Sequence, residues 1–117
     1  MPDSRPPAIW RFGHLASCLD AAMHMAASGL LAPWDSVQCA AQSAGRGQLR
    51  RSWYSPPGNI YVALRLPVTP PFDGSAAAPA AAFLLAEALR SEGWPVQLKW
   101  PNDIVIADAD GLPKKLA

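Results

Sequence analysis

Residues 96–107 read Val96-Gln97-Leu98-Lys99-Trp100-Pro101-Asn102-Asp103-Ile104-Val105-Ile106-Ala107. Two short apolar stretches flank a proline-containing turn, so we predict strands over 96–100 and 104–107 joined at 101–103. A further hairpin turn signal follows at 108–111, where the sequence is Asp-Ala-Asp-Gly. Strands that follow one another through tight turns pair antiparallel. This stretch therefore predicts an antiparallel sheet.

The rest of the chain supplies two predicted helices and three more predicted strands. Ser17 and Asp20 form a capping-box-like pair that predicts a helix ending near Gly29. Pro79 opens a second predicted helix, which Gly93 closes. Alternating apolar residues predict strands over 36–42 and 60–66, and residues 114–117 are expected to form a last strand. We predict an α+β fold: a mixed, largely antiparallel sheet with helices packed on it.

Two other segments are predicted to lack regular structure. Residues 1–13 form an entry segment, for which Trp10 and Phe12 are the expected anchors. Residues 67–78 are low-complexity sequence rich in proline and alanine, which predicts a surface excursion.

Composition excludes several classes of protein. With 117 residues, of which 50% are hydrophobic and 16% charged, the chain is predicted to form one globular domain. A net charge of +1 gives no support to nucleic-acid binding. No apolar run reaches the roughly 18 residues of a membrane span. Cys18 and Cys39 lie in apolar surroundings without metal-ligand spacing, which predicts two buried free thiols and a cytoplasmic protein.

Residues 43–58 are predicted to be one long loop, because glycine, proline and cations dominate and no period is sustained. Glycines on either side of Arg46 would let the backbone approach a ligand. Arg50 and Arg51 add guanidinium groups that grip phosphates, and Trp53 offers a flat face to a base. These features favour nucleotide binding. The alternative is a solvated basic loop whose tryptophan packs into the core.

The turn at 99–103 is the second candidate site. Strand alternation places Lys99 on the same face as Gln97, although charged residues are rare within a core strand. Asp103 could orient a lysine or hold Mg²⁺. The alternative is a plain turn, in which Asn102 and Asp103 bond to their own backbone.

Four segments that occur in order carry a family resemblance: Gln42–Gly47, Arg51–Pro56, Lys99–Asp103 and Lys115–Ala117. Together they resemble the biotin–protein ligase family, from about Ser17 to the last residue. The resemblance implies the fold shared by biotin and lipoate ligases and class II aminoacyl-tRNA synthetases. It also implies activation of biotin by ATP as biotinyl-5′-AMP, followed by transfer to a lysine of a biotin carboxyl carrier protein domain.

The resemblance also implies residue roles. The implied catalytic residues are Lys115, Asp103, Lys99 and Arg46. The biotin-binding positions are Ser17, Gln42, Gly45, Arg46, Gly47 and Lys115. The nucleotide-binding positions are Arg46, Gln48, Arg51, Trp53 and Asn102, and Asp103 is the candidate ligand for Mg²⁺. Cys18-Leu19 and Gln48 depart from the family pattern, which usually has polar residues after the serine and a cation after Gly-Arg-Gly.

In the family, the Lys-Leu-Ala segment continues into strands that complete the sheet. Residues 1–117 are therefore expected to form a single, incomplete catalytic domain with no winged-helix domain and no C-terminal domain. We expect the uncovered face to expose Ile104, Val105 and Ile106 or their partners, and the truncated sheet edge to promote self-association. Two alternatives remain open: a non-catalytic relative that binds biotin or adenylate or assembles with another chain, and a lipoate-type ligase.

Overall fold

A computed structural model describes residues 5–47, 49 and 51–117. Its contacts fall into two compact units, one ending at Pro67 and the other formed by Val68–Ala117. The first unit contains β1 (Ile9–Leu15), α1 (Cys18–Ala27), β2 (Ser36–Arg46), β3 (Ser52–Ser55) and β4 (Tyr61–Leu64). The second contains α2 (Ala77–Ser91), β5 (Gln97–Lys99), β6 (Asp103–Ala107) and β7 (Pro113–Lys115). The expectation of one domain stays a prediction.

Strand β2 is the central element of the first unit. It pairs parallel with β1 on one edge, where Phe12 lies opposite Cys39. On its other edge it pairs antiparallel with β4 along its first half and with β3 along its second half. Helix α1 packs on β2 and β4. The predicted mixed, largely antiparallel α+β architecture is confirmed.

Helix α1 begins and ends where the sequence indicates. The Ser17 hydroxyl accepts a hydrogen bond from the Asp20 amide at 3.2 Å, which satisfies one of the unpaired amides of the first turn. After the helix, Gly29 has φ +82°, a conformation that glycine adopts without strain. Ala22, Met25, Leu31 and Val37 form the buried core of this unit.

The second unit is an antiparallel three-stranded sheet, in the order β5-β6-β7, with α2 packed on β5 and β6. Ala86, Val96 and Ile104 form its core. Pro79 lies in the first turn of α2, where its missing amide hydrogen costs no helical hydrogen bond. Neither helix in the described ranges is long and apolar enough to cross a bilayer.

Two predictions about irregular segments are wrong. The loop predicted over 43–58 is mostly a β-hairpin, because β2 continues to Arg46 and β3 returns alongside it. The Gly47 amide donates to the Arg51 carbonyl at 2.7 Å and closes this hairpin. Residues 9–13 of the entry segment belong to strand β1, and Trp10 and Phe12 remain 39% exposed, so they do not anchor it in a core. Both strands form through pairing with β2, which overrides weak local propensity.

The expected exposure of Ile104 is also wrong. Its side chain is 1% exposed because α2 covers that face of the sheet, and Val105 and Ile106 are partly buried. Strand β7 consists of Pro113, Lys114 and Lys115. Proline and lysine are the residues with which natural edge strands discourage pairing with other chains. Self-association therefore remains a prediction. The residues of β7 do not favour pairing of this edge with another chain.

The carboxylate of Asp35 ties the start of the chain to the turn before β2. Its two oxygens accept hydrogen bonds from the Arg5 guanidinium at 3.1 and 3.0 Å. They also accept from the amides of Ala8 at 2.8 Å and Ala32 at 2.9 Å. The Arg5 hydrogen bonds, and then those two amides, hold the pKa of Asp35 well below its usual range. The ionised carboxylate is thus part of the fold.

We therefore expect Asp35→Ala to lower the melting temperature at pH 7 by roughly 5 °C or more. Because the pKa is lowered on folding, this contribution is complete above about pH 4 and fades as the pH falls further. Thermal unfolding at pH 7 and pH 3 measures both effects. Asp73→Ala, at an exposed carboxylate, is the control. An equal loss in both variants would contradict the structural role of Asp35.

Candidate functional site

The side chain of Gln42 joins three elements of the first unit. Its Oε1 accepts a hydrogen bond from the Cys18 amide at 2.7 Å, at the start of α1. Its Nε2 donates to the Ser55 hydroxyl at 3.0 Å, at the end of β3. That hydroxyl donates in turn to the Trp53 carbonyl at 3.2 Å. Gln42 is therefore held in one orientation, with one amide hydrogen and one lone pair left for a ligand.

The absence of a side chain at Gly45 is required by this arrangement. A Cβ built there would lie 2.6 Å from Ser55 Oγ, 2.8 Å from the Trp53 carbonyl oxygen and 2.9 Å from Gln42 Nε2. Sequence reasoning attributed the glycine to the approach of a ligand. The structure shows that the protein's own atoms occupy this space.

Arg46 lies beside the start of α1. Its guanidinium forms an ion pair with the Asp20 carboxylate, and both side chains are about half exposed. Ser17, the other candidate at this helix end, is buried and caps the helix. An exposed ion pair contributes little to stability, so Arg46 can exchange Asp20 for an anionic ligand at small cost.

The remaining candidates of the first unit lie in the β2–β3 hairpin. Trp53 is 54% exposed, so it does not pack into the core as the alternative reading required. A Cβ at Gly47 would meet the Trp53 ring at 3.6 Å, which places that ring beside the glycine backbone. Arg51 is exposed. Gln48 and Arg50 lie outside the described residues.

An open groove of about 400 Å³ adjoins Gln42. It is lined by Cys18, Leu19, Gln42, Trp53 and residues 60–64. The sequence analysis did not name Leu19, Val62 or Leu64 as site residues, since alternation over 60–66 predicted a strand without showing what its apolar residues line. Val62 is 55% exposed and Leu64 50% exposed. The groove is open to solvent and combines apolar side chains with the carboxamide of Gln42.

The candidates of the second unit gather on one face of its sheet. Antiparallel pairing places Lys99 opposite Asp103, and Gln97 and Lys115 opposite Val105. Directly opposed residues share a face, so Lys99 and Gln97 lie together as predicted. Lys115 Nζ lies 3.1 Å from Asp103 Oδ1. Lys115 therefore forms an ion pair with Asp103, and Lys99 lies directly across from the same residue on β5.

Lys114 provides a contrast within the same strand. It lies opposite Ile106, hence on the other face of the sheet, and its Nζ is 3.7 Å from Asp108 Oδ2. Trp100 and Asn102 lie in the turn between β5 and β6 and are exposed. The carboxylate of Asp103 forms an ion pair with Lys115, and a role of Asp103 in orienting a lysine stays a prediction.

The residues present do not fit a metal site of their own. Asp103 offers one carboxylate, and Lys115 already neutralises one of its oxygens. Within the described part of the chain, no group of three or more histidine, cysteine, aspartate or glutamate side chains gathers. A Mg²⁺ ion that arrives with the phosphates of ATP stays a prediction.

The order of these features along the chain matches a known family. The model of the biotin/lipoate A/B protein ligase family matches residues 35–117, which include Gln42, the hairpin and the lysine-bearing sheet. This chain belongs to that family. Ser17 and Cys18 precede the matched region. No match was found among curated proteins.

Solved structures agree with the family assignment. Biotin acetyl coenzyme A carboxylase synthetase from Helicobacter pylori, with biotinylated ATP bound, superposes with a TM-score of 0.70 at 24% identity, over 88% of this chain and 51% of that one. Biotin protein ligase from Aquifex aeolicus, in complex with biotin and ATP, gives 0.63 at 20% identity, over 86% and 46%. At these identities the two likenesses establish the ligase fold.

A third structure is nearer in sequence. Biotin protein ligase from Leishmania major, in complex with biotinyl-5-AMP, gives a TM-score of 0.59 at 27% identity, over 91% of this chain and 54% of that one. The present chain spans about half the length of these ligases. Its membership of the family is established, and the roles of its individual site residues remain predictions.

The contacts at Gly45 predict a specific sensitivity. We expect Gly45→Ala to lower the free energy of unfolding by about 1–3 kcal/mol, because the added methyl group overlaps three polar atoms. Gly47→Ala is the matched control, since its Cβ meets its first neighbour at 3.6 Å. Adding Ser55→Ala to Gly45→Ala should recover part of the loss. Urea unfolding measures these differences, and equal stability of the two alanine variants would contradict the close approach at Gly45.

Proposed function

We propose that this chain carries part of the active site of a cytoplasmic, ATP-dependent biotin–protein ligase. The reaction activates biotin as biotinyl-5′-AMP and transfers the biotinyl group to a lysine of a biotin carboxyl carrier protein domain. The observation that carries the proposal is the polar face of the second unit, where Lys115 and Lys99 flank Asp103 in a chain of this family.

The first step brings two anions together. A carboxylate oxygen of biotin attacks the α-phosphorus of ATP, the new carbon–oxygen–phosphorus linkage forms, and pyrophosphate leaves. Negative charge builds up between the reactants, so fixed ammonium groups lower the barrier. Lys115 is oriented for this role by its ion pair with Asp103, and Lys99 lies across the strand from the same carboxylate.

The second step needs a neutral amine. The carrier lysine, as the neutral amine, attacks the acyl carbon of the adenylate, the carbon–nitrogen bond forms, AMP leaves, and the nitrogen gives its extra proton to solvent. Asp103 is the candidate that attracts the incoming ammonium group and orients it. Its side chain is one-third exposed, so a partner's lysine can reach it.

The first unit supplies the candidate contacts for biotin and the nucleotide. The apolar wall of the groove, with Leu19 and Val62, suits the carbon skeleton of biotin. The remaining hydrogen-bonding capacity of Gln42 suits its polar ring. Arg46 suits a carboxylate or phosphate, and Trp53 and Arg51 suit the adenine and its phosphate.

Ligand binding by the 117-residue chain tests the proposal. We expect a non-hydrolysable analogue of biotinyl-5′-AMP to bind saturably and to change the fluorescence of exposed Trp53. Biotin plus ATP should compete with it. A lipoyl-adenylate analogue that binds more tightly would favour a lipoate-type ligase, the other activity in the family name. If the chain binds neither analogue, the result would favour a non-catalytic member of the family that does not bind an acyl-adenylate.

The two lysines of β7 allow a matched test of the site. Lys115→Ala should weaken binding of the adenylate analogue by at least ~10-fold, the range expected for loss of one charge-assisted hydrogen bond. Wherever turnover is measurable, it should slow adenylate formation by at least ~10²-fold. Lys114→Ala removes the same charge from the opposite face and should leave both nearly unchanged. Equal losses of analogue binding in the two variants would contradict the proposal that only the lysine on the Asp103 face of β7 belongs to the site.

A further inference from the structure

The thiols of Cys18 and Cys39 form a buried pair that the proposed ligase chemistry does not use. Cys18 is the first residue of α1 and Cys39 lies in the middle of β2. Their Sγ atoms are 2.7 Å apart, and each residue is 3% exposed. Both cysteines are free, and the chain contains no others.

We propose that Cys18 and Cys39 are a site of reversible oxidation, at which a peroxide converts the pair into an intramolecular disulfide that ties α1 to β2. A disulfide holds its sulfurs about 2.05 Å apart, so closure needs a movement of only about 0.7 Å. Cys18 also lines the open groove, which gives a small oxidant a route to the pair.

The chemistry proceeds in two steps. One sulfur attacks an oxygen of hydrogen peroxide and becomes a sulfenic acid, with release of water. The other sulfur attacks the sulfenic sulfur, the sulfur–sulfur bond forms, and a second water leaves. Two thiols and one peroxide thus give one disulfide and two waters.

Geometry controls the outcome after the first oxidation. Burial, followed by the hydrogen bond to Cys39, raises the pKa of the Cys18 thiol to about 12, so the Cys18 thiol is neutral at pH 7. Neutral buried thiols oxidise slowly. Once a sulfenic acid forms, its partner is already in contact with it, and ring closure outpaces encounter with a second peroxide or with another chain.

The bond would restrain a region that already carries the Gln42 hydrogen bonds. The Cys18 amide donates to Gln42, so the cross-link would fix the first turn of α1 at the same point. Cross-linking residues distant in sequence lowers the entropy of the unfolded chain. We therefore expect oxidation to raise the melting temperature by about 5 °C or more.

The test treats the 117-residue chain with hydrogen peroxide and then counts thiols by alkylation after denaturation. We expect both thiols to disappear together, a monomer on a non-reducing gel, a linked pair of peptides containing the two cysteines, and full recovery with dithiothreitol. Alkylation is unaffected by oxidation of methionine. A dimer linked by a disulfide, irreversible loss of thiols, or thiols that survive peroxide able to oxidise the denatured chain would overturn the proposal.

Single variants provide the matched controls. Cys18→Ser and Cys39→Ser each keep one thiol without its partner, so excess peroxide should carry that thiol beyond sulfenic acid to sulfinic and sulfonic acids, which dithiothreitol does not restore. Recovery in either variant equal to that of the unsubstituted chain would also overturn the proposal, as would a disulfide that leaves the melting temperature unchanged. If a variant fails to fold, the linked peptides of the unsubstituted chain still answer the question. None of these measurements depends on biotin binding.

Discussion

The fixed orientation of Gln42 is the constraint on which the first unit depends. Its carboxamide bonds to α1 at one end and to β3 at the other, so the helix start, the central strand and the hairpin meet at one side chain. Such a bridge works only if the backbone of β2 lies close to β3, and Gly45 makes that possible. The groove beside Gln42 is a consequence of this convergence.

The second unit depends on a different constraint, the two-residue period of its strands. The period sends Ile104 towards α2 and Asp103 to the opposite face. It also separates Lys115 from its neighbour Lys114, so only one of two adjacent lysines can reach Asp103. A shift of one residue in the register of β7 would place Lys114, instead of Lys115, on the face of Asp103. The strand register therefore determines which lysine is the candidate catalytic cation.

Parts of this architecture could be predicted because their signals are local. The Ser17 cap, Gly29, Pro79 and Gly93 mark helix ends, and these positions agree with α1 and α2 to within about two residues. Strands β5 and β6 are joined by a short turn, so their pairing partner is adjacent in sequence. The faces of Lys99 and Gln97 followed from alternation alone.

The remaining elements could not be predicted, because their partners are distant or their residues ambiguous. Strand β1 is defined by parallel pairing with β2, which lies beyond α1 in the chain and leaves no local pattern. Strand β3 has only four residues and lies in a stretch rich in glycine, proline and cations, which made the hairpin resemble a loop. The apolar residues of β4 alternate as those of a core strand would, yet Val62 and Leu64 line the groove. Alternation shows which residues share a face of the strand, but it does not show whether that face packs against the core or against solvent.

The residues that carry the family resemblance fall into two groups: those that contact other parts of the protein and those that are exposed. Gln42, Gly45 and Ser55 make contacts with the protein itself, so their presence in a motif reports on the fold at least as much as on a ligand. Arg46, Arg51, Trp53 and Lys99 remain exposed. Burial of charge without a partner is costly, and exposed cations beside an aromatic ring add little stability. In the proposed function, the exposed side chains of each unit can contribute binding energy to a ligand, whereas Gly45 and Ser55 stabilise the fold of the first unit.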